Sequence, residues 1–485
     1  MIKKPSWIFD RERDWQALAE HVERARAVPS LGLVSGRRRQ GKTFMLTALA
    51  KAVGGFYFAA DEATASDSLR RFSDALGAFS GAPVQFATWD DAISYLFSLP
   101  GDRPLPLVID EFPMLIRANQ ALPSILQRHL DAGQSPAAAP NYARLLLCGS
   151  AMSVMGSLLA GQAPLRGRAG LELVLKPLDF RHAARFWGVA DPWTAVLLHA
   201  IVGGTPAYRR QFVRDDAPAG PDDLDDWVCR TVLNPATPLF REARYLLAED
   251  VGARDPGLYH SVLGAIANGN ATNGGIANYV GRRSPEIAHP LNVLEDAGLV
   301  CRDLDMFRKG RSTYRIAEPL ITFYQSIMRP QWAALELGAA RQVWEGSRAR
   351  FLAAVVGPHF EQMCRDWLAG ADGVLPELPA IVGSGVTPGS ASRDQVQVDV
   401  VALSPSWPGQ KQRVLSLGEA KWGKCLGLRH LDRLASAKEI LAGHGLDTSE
   451  AVLGLYSGAG FDDDLRATAA ARRDVLLVDA ARLYA

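Results

Sequence analysis

The amino-acid sequence predicts a multidomain α/β protein. Short apolar runs that end at polar or glycine-rich turns alternate with amphipathic helical stretches, which is the pattern of strands and helices in layered sheets. This alternation occurs in two separate parts of the chain, before residue 185 and after residue 348. A length of 485 residues also exceeds what one hydrophobic core usually serves, so several domains are expected.

The first predicted strand, residues 31–34, leads into a glycine-rich turn that fits the pattern G-x-x-x-x-G-K-[ST], and a helix is predicted over 44–50. A strand, a glycine turn and a helix N-terminus direct several backbone N–H groups at one point, which suits a phosphate. We therefore expect an ATP site in which Lys42 reaches the β- and γ-phosphates and Thr43 holds Mg²⁺. The expected nucleotide-binding residues are Gly36, Arg39, Gln40, Gly41, Lys42, Thr43 and Phe44.

A second apolar strand, residues 105–109, ends abruptly in Asp110 and Glu111. Such a strand has the form of a Walker B motif, in which the first acid binds Mg²⁺ and the second orients and deprotonates water. A solvated acidic turn after a strand is common on its own, but the upstream P-loop favours the catalytic interpretation. Asp110 is thus the predicted metal residue and Glu111 the predicted base.

A further strand is predicted over residues 144–148, and polar residues that follow it are additional candidates for the ATP site. Ser150 either senses the γ-phosphate or serves as a helix N-cap, and both interpretations stay open. Arg166 and Arg168 are candidates to offset charge in the transition state, with Arg168 preferred, although arginines are common on any surface.

Composition excludes some classes of function. Nearly equal numbers of basic and acidic residues, 53 and 52, give a net charge of +1, so any contact with nucleic acid must come from local patches. No C-x-x-C spacing indicates zinc, and no apolar run approaches the roughly 18 residues of a membrane span. We expect a cytoplasmic protein without membrane contact and with reduced thiols at Cys148, Cys229, Cys301, Cys364 and Cys425.

The middle of the chain predicts three helices, over 259–266, 275–280 and 285–297, and then a β-hairpin with a basic tip. Three helices and a hairpin make a winged helix-turn-helix, whose third helix can enter a major groove. Winged helices also serve as intramolecular packing modules, and this alternative stays open. The candidate DNA-binding residues are Arg282, Arg283, Arg308, Lys309 and Arg311.

Towards the C-terminus, a predicted loop over 383–393 precedes the strands 396–403 and 413–422. Asp399 lies on the first strand, and Glu419 and Lys421 lie on the second, where a period of two places them on one side. Two carboxylates can hold Mg²⁺ or Mn²⁺, and a lysine can position the attacking water. Glu361, on a helix predicted over 351–367, is a further catalytic candidate. The triplet E-x-K is weak evidence alone, but these charges interrupt otherwise apolar strands.

The motifs at 36–43, 108–112, 149–150, 164–168 and 203–208 together resemble the archaeal-type ATPase family, in the STAND branch of the AAA+-like P-loop ATPases. The resemblance implies a small helical lid that closes over the nucleotide and includes Gly204 and Pro206. Without this resemblance, residues 203–208 would be interpreted as a helix-breaking turn.

The Asp399 and Glu419-Ala-Lys421 stretches resemble the PD-(D/E)xK nuclease superfamily, and in particular the restriction-endonuclease-like domain at the C-terminus of archaeal-type ATPases. One departure is that Gln397 and Val398, without the superfamily's leading proline, precede Asp399. The implied boundaries are an ATPase core over 1–185, a lid over 186–250, a winged helix over 251–330, a linker over 331–347 and a nuclease-like domain over 348–485.

The leading hypothesis is an ATP-driven switch that acts on DNA through the winged helix and a Mg²⁺-dependent nuclease. The nuclease-like domain could instead be a DNA-binding remnant or a protein-interaction module. A second hypothesis is a STAND-type regulator in which ATP controls assembly or transcription, and a third is an ATPase that recruits a protein and never meets DNA. Homo-oligomerisation stays open.

Overall fold

The computed structural model describes residues 2–251, 256–389 and 395–485. The chain divides into two compact units, Met1–Pro177 and Leu178–Ala485. The first unit contains a parallel five-stranded sheet, and the second contains a helical region and a mixed five-stranded sheet. All five cysteines are free thiols. No helix within the described ranges is both long and apolar enough to cross a lipid bilayer.

The sheet of the first unit has the strand order β2-β3-β4-β1-β5, and every neighbouring pair is parallel. Since parallel strands end at the same edge, the turns after β1, β3 and β4 lie side by side, with β4 between the other two. The strands are β1 Ser30–Ser35, β2 Phe56–Ala59, β3 Leu105–Asp110, β4 Ala143–Gly149 and β5 Ala169–Val174.

Helices cover both faces of this sheet. Alternate residues of β4 enter opposite cores, because Leu145 and Leu147 pack in one hydrophobic cluster and Leu146 and Cys148 in another. Such strands, buried on both faces, appear in the sequence as continuous apolar runs. The helices are α1 Glu12–Glu23, α2 Lys42–Val53, α3 Ala65–Ser80, α4 Trp89–Ser98, α5 Phe112–Ala118, α6 Leu122–Gly133 and α7 Met152–Ser157.

The helical region of the second unit shares one hydrophobic cluster with one face of the C-terminal sheet. Within it, α12, α13 and α14 are followed by the antiparallel hairpin β6 Val300–Leu304 and β7 Ser312–Ile316. The helices are α8 Phe180–Trp187, α9 Pro192–Val202, α10 Leu224–Arg230, α11 Pro238–Val251, α12 Pro256–Ala267, α13 Asn273–Val280, α14 Ser284–Asp296, α15 Pro319–Phe323, α16 Trp332–Glu336 and α17 Ala340–Arg350.

The second sheet has the strand order β12-β11-β10-β9-β8. Its first three strands in sequence form an antiparallel meander, and the other two run parallel to β10. The elements are α18 Gly357–Gly370, β8 Ile381–Val386, β9 Gln397–Leu403, β10 Val414–Lys421, α19 Leu428–Gly443, β11 Val452–Ser457, α20 Asp463–Ala471, β12 Val475–Asp479 and α21 Ala480–Tyr484.

Two predictions for this region were wrong in part. The loop predicted over 383–393 begins with the second half of β8, and its residues 390–394 lie outside the described residues. Two glycines in β8 concealed the strand, because glycine disfavours strands and resembles a turn in sequence. The single helix predicted over 351–367 is a π-helical turn, Phe351–Val356, that continues into α18.

Candidate functional site

The P-loop follows β1 and ends at the N-terminus of α2. Gly41, just before the helix, has φ of 90°, a left-handed conformation that favours glycine. The buried Lys42 ammonium donates to the carbonyl of Gly36 at 2.6 Å and to that of Arg37 at 2.9 Å. The lysine therefore lies across the inside of the loop, where it can face a bound phosphate.

Asp110, at the end of β3, lies beside the P-loop helix. Its Oδ2 atom accepts hydrogen bonds from Thr43 Oγ1 at 2.7 Å and from Tyr57 OH at 2.9 Å. Its Oδ1 atom accepts from the backbone N–H of Glu111 at 2.9 Å. The fold thus brings together the hydroxyl and the carboxylate that the sequence predicted as Mg²⁺ ligands, and both are oxygen donors of the kind that Mg²⁺ takes.

Tyr57 is a site residue that sequence reasoning missed. It lies on β2, whose short aromatic run predicted only a strand, and nothing in that run indicates a partner on β3. Burial raises the pKa of the Tyr57 phenol, and the neighbouring Asp110 carboxylate raises it further, so the phenol stays a hydrogen-bond donor at neutral pH.

Glu111 has φ of 50°, which is uncommon for a residue other than glycine and is often found at functional sites. Ser150 Oγ, beyond the tip of β4, lies 3.0 and 3.1 Å from the two Glu111 carboxylate oxygens. The N-cap of the next helix, α7, is Ala151 rather than Ser150. Ser150 therefore fixes the predicted base and does not cap a helix here.

An aromatic pair is exposed next to the P-loop. The rings of Trp7 and Phe44 are 4.7 Å apart and nearly perpendicular, and their residues are 58% and 54% exposed. The nearby Arg11 guanidinium donates to the carbonyl of Gln40 at 3.3 Å. Phe44 was predicted at this site, whereas Trp7 lies 37 positions before it in the sequence and belongs to no motif.

The two candidate arginines make other contacts. Arg168 forms a two-point ion pair with Asp131, with Nε–Oδ1 and Nη2–Oδ2 distances of 2.7 Å, and it also donates to backbone carbonyls of Pro164 and Arg166. Arg166 donates to the carbonyl of Gly161. The Arg168 guanidinium lowers the pKa of the Asp131 carboxyl, so the pair is ionised at neutral pH. A transition-state role for Arg168 stays a prediction.

The segment with Gly204 and Pro206 lies in the second compact unit. The carbonyl of Gly204 accepts a hydrogen bond from the backbone N–H of Leu178 at 2.8 Å. Tyr208 OH donates to Glu318 Oε1 at 3.2 Å, which ties this segment to the start of α15. Contact between Pro206 and a nucleotide stays a prediction.

A second candidate site lies on β9 and β10. The buried Asp399 carboxylate accepts from Lys421 Nζ at 2.7 Å, the Ala420 backbone N–H at 3.1 Å and Gln397 Nε2 at 3.2 Å. Lys421 Nζ also lies 3.3 Å from Glu419 Oε1, so the two residues share one side of the strand as predicted. We call Glu361, Asp399, Glu419 and Lys421 the acidic cluster.

Two observations bear on whether this cluster fits a cation. Glu419 Oε2 is buried and accepts no hydrogen bond from the described residues, which leaves an oxygen available to a positive ligand. No group of three or more His, Cys, Asp or Glu side chains in the described ranges is disposed to hold a metal ion. Mg²⁺ commonly takes only one or two carboxylates and keeps several waters, so Asp399 and Glu419 fit as a minimal ligand pair.

Glu361, on α18, is distinct from the other two acids. Burial raises its pKa to about 7, and repulsion from the Asp399 carboxylate adds to this shift. The raised pKa favours the protonated form of Glu361 more than that of an ordinary carboxyl, which suits a group that takes up or delivers protons better than a permanently ionised ligand. Arg433, on α19, was not predicted, and its Nη1 lies 3.4 Å from Glu419 Oε1.

The predicted DNA-binding residues differ in their exposure. Arg282, Arg283, Lys309 and Arg311 are exposed. Arg308 is half-buried, and its Nε donates to the carbonyl of Val386 on β8 at 3.0 Å. Arg308, predicted as a DNA-binding residue of the wing, is engaged by the C-terminal sheet, and its contact with DNA stays a prediction.

Comparisons with known proteins give distant similarities. No protein-family model matches the chain. An uncharacterized protein of Methanocaldococcus jannaschii is 26% identical over 339 residues, which cover 68% of this chain and 71% of that protein.

Two solved structures are similar in fold. A Walker-type ATPase of Pyrococcus abyssi is 18% identical, with 66% of this chain and 96% of that chain covered and a TM-score of 0.49. The ORC2 protein of Aeropyrum pernix is 16% identical, with 68% and 97% covered and a TM-score of 0.43. Both scores are below 0.5, so the roles of the site residues depend on the geometry of this chain.

Proposed function

We propose that the protein is a Walker-type ATPase that binds ATP and Mg²⁺ at the P-loop and hydrolyses the terminal phosphate. The observation that carries this proposal is the 2.7 Å hydrogen bond between Thr43 and Asp110, which joins the two predicted Mg²⁺ ligands next to the buried Lys42. Their convergence is what phosphoryl transfer requires, since catalysis of this reaction is mainly positioning and charge stabilisation.

Each residue has a separate task in this proposal. Lys42 supplies positive charge to the β- and γ-phosphates, and Thr43 and Asp110 would hold Mg²⁺, which would supply further positive charge to the phosphate oxygens. Glu111 orients the attacking water and takes its proton. Ser150, which contacts both Glu111 oxygens, holds that carboxylate in one orientation. Trp7 and Phe44 present an aromatic surface on which an adenine base can pack.

ATP hydrolysis by purified protein tests this proposal. We expect Glu111→Gln to keep ATP binding and to lower kcat about 100-fold or more, because the base is lost while the site stays intact. Lys42→Ala should abolish binding of ATP. Lys51→Ala, an exposed lysine on the same helix, is the matched control and should behave as the wild type. Hydrolysis by Glu111→Gln at the wild-type rate would contradict the assignment.

We also propose that the second unit acts on DNA as a winged helix joined to a metal-dependent nuclease of the PD-(D/E)xK type. The order of a helix, three antiparallel strands, a helix and a parallel strand supports such a domain, and so does the convergence of Asp399, Glu419 and Lys421. Asp399 and Glu419 would hold Mg²⁺ or Mn²⁺, which supplies charge to the scissile phosphate. Lys421 would position water, and Glu361 would exchange the proton.

The exposed arginines and lysine of the winged helix are the proposed DNA contacts. Arg282 and Arg283 precede α14, and Lys309 and Arg311 lie in the turn between β6 and β7. Phosphate contacts by these residues would make the affinity for DNA fall steeply with salt concentration. Arg308 is not among the proposed DNA contacts, because its guanidinium donates to the carbonyl of Val386.

One observation favours a second candidate function, an ATP-dependent regulator with a catalytically silent C-terminal domain. Lys421 and Arg433 both lie close enough to Glu419 to neutralise it without a metal ion. Such internal ion pairs would let the cluster persist as a structural feature after nuclease activity was lost.

Incubation with supercoiled and linear DNA separates the two candidates. With Mg²⁺ or Mn²⁺, with and without ATP, we expect cleavage by the wild type and none by Asp399→Ala or Glu419→Ala. If Asp399→Ala cleaves as well as the wild type, the nuclease assignment is wrong. Absence of cleavage together with ATP-dependent retention of DNA in a gel, lost in Lys42→Ala, would favour the regulator.

A further inference from the structure

The tip of the β6–β7 hairpin contacts the edge strand of the C-terminal sheet. The backbone N–H of Met306 donates to the carbonyl of Ser384 at 3.1 Å, and Arg308 Nε donates to that of Val386 at 3.0 Å. Asp305 Oδ1 accepts from the backbone N–H groups of Phe307 and Arg308 at 2.9 and 3.0 Å, and from that of Val386 at 3.4 Å. We call residues 305–308 the hairpin tip.

Strand β8 has glycine at two positions where the hairpin tip approaches it, Gly383 and Gly385. A Cβ atom at Gly383 would lie 2.7 Å from the end of Met306, and one at Gly385 would lie 2.7 Å from the ring of Phe307. Met306 and Phe307 also pack against the hydrophobic cluster of the sheet. The two glycines thus give the tip a close fit that any larger residue would disturb.

This contact lies one strand away from the acidic cluster. Gly385 pairs with Val398 and Val386 pairs with Gln397, so the part of β8 that holds the tip lies beside the residues that precede Asp399. Gln397 Nε2 donates to Asp399 Oδ1, and Asp399 Oδ2 accepts from the backbone N–H of Ala420. The pairing of β8 with β9 also shifts register between Gly383 and Gly385. Regular pairing of the two strands therefore does not by itself fix the register of this part of β8.

We propose that the hairpin tip is a positioning element for the acidic cluster: by docking on β8 it holds β9 in the register that Asp399 needs to bind a divalent cation. The functional part of this inference rests on the metal site proposed above. Docking or undocking of the hairpin tip of the winged helix would thereby change the cation affinity of the acidic cluster through β8 and β9. Arg308 would serve this contact and not a DNA phosphate.

The experiment uses full-length protein with Asp110→Asn, so that Mn²⁺ binding reports the acidic cluster and not the P-loop site. The test variants are Gly383→Ala and Gly385→Ala. The control is Gly346→Ala, because a Cβ atom at that position meets no atom within 4 Å. Trypsin cleavage after Arg308, which is engaged by β8, reports undocking. Amide exchange at Ala420 reports the Asp399 contact, and electron paramagnetic resonance reports the affinity for Mn²⁺.

We expect the two test variants to be cleaved faster at the tip, to exchange the Ala420 amide faster and to bind Mn²⁺ about tenfold more weakly. An undocked tip with unchanged exchange at Ala420, or with an unchanged or higher affinity for Mn²⁺, would overturn the inference. If the glycine variants keep the tip docked, the double variant Met306→Ser and Phe307→Ser, which keeps the cleavage site at Arg308, applies the same criteria.

Failure of the proposed metal site gives a different result. In that case the wild type and Glu419→Ala bind Mn²⁺ equally, and the metal-binding part of the inference is wrong together with the proposed metal site. Amide exchange at Ala420 still decides whether the tip positions Asp399, because that hydrogen bond needs no metal ion.

Discussion

The carboxylate of Asp110 is held by donors from three different elements. Thr43 belongs to the P-loop helix, Tyr57 to β2, and the Glu111 N–H to the turn after β3. Hydrogen bonds to a metal-binding carboxylate set its orientation and its basicity, and their removal commonly weakens metal affinity by about 10- to 100-fold. Tyr57 is therefore a positioning residue for the proposed Mg²⁺ site, although it is not expected to touch the nucleotide.

Replacement of Tyr57 by phenylalanine tests this role. The substitution removes only the hydroxyl, so we expect Tyr57→Phe to raise the Mg²⁺ concentration at half-maximal ATPase rate by about tenfold. The maximal rate at saturating Mg²⁺ should change little, because Glu111 and Lys42 are unaffected. Steady-state ATPase assays over a range of Mg²⁺ concentrations measure both quantities.

Tyr95→Phe is the control for this substitution, because Tyr95 lies on α4 and packs against Phe86. An unchanged Mg²⁺ requirement in Tyr57→Phe, with the wild-type rate, would show that the phenol has no part in metal binding. A lower maximal rate in both variants would indicate a general effect on packing.

Two histidines join helices that are far apart in sequence. His199 on α9 and His359 on α18 form a ring-to-ring hydrogen bond, with Nδ1 and Nε2 separated by 2.8 Å. One nitrogen must donate and the other must accept, so the bond requires at least one neutral ring. Burial lowers the pKa of His199 to about 4 and lowers that of His359 as well, so both rings are neutral at pH 7.

This pair predicts acid sensitivity of the second unit. A histidine with an ordinary pKa of 6.5 takes up its proton more readily in the unfolded chain than in the folded one, where the His199 pKa is about 4. Stability is therefore fully present above pH 6.5 and is lost as the pH falls towards 4. For each histidine that stays neutral in the fold, the free energy of unfolding falls by about 1.4 kcal/mol for every pH unit by which the pH is lowered in that window.

Thermal unfolding between pH 4 and pH 7.5 measures this effect. We expect a double variant, His199→Leu and His359→Leu, to reduce the dependence between pH 6.5 and 4, with His260, whose pKa burial also lowers to about 4, contributing to the remainder. His444→Gln, an exposed histidine at the end of α19, should keep the wild-type slope. An equal slope in the wild type and the double variant would place the acid sensitivity elsewhere.

The whole chain consists of two compact units with separate hydrophobic clusters. Units with their own cores commonly unfold in separate transitions. The P-loop, Asp110, Glu111 and Ser150 all belong to the first unit, and the acidic cluster belongs to the second. ATP is therefore expected to stabilise the first unit directly.

Calorimetry of the full chain tests this division. At a nucleotide concentration about 100 times Kd, Mg²⁺ and ADP should add about 2.7 kcal/mol to the stability of the first unit and raise its Tm by about 5 to 10 °C. Lys42→Ala should abolish that shift. A single transition that shifts as a whole on addition of nucleotide would show that the two units unfold together.

Much of both candidate sites was predictable from the sequence, because those features are local. The P-loop, the acids at the end of β3 and the alternation of Glu419 and Lys421 follow from the spacing of residues within one strand or turn. Strand periodicity and a glycine turn act over a few residues, so the sequence displays them directly.

The tertiary structure alone decided which distant side chains meet. The order of strands places Tyr57 beside Asp110 and Ser150 beside Glu111, and no local pattern encodes either pair. Gly383 and Gly385 resembled a loop in sequence, yet they form the strand that receives the hairpin tip and engages Arg308. These contacts depend on packing between segments up to about 80 residues apart in sequence. The periodicity of one segment does not encode which distant segment packs against it.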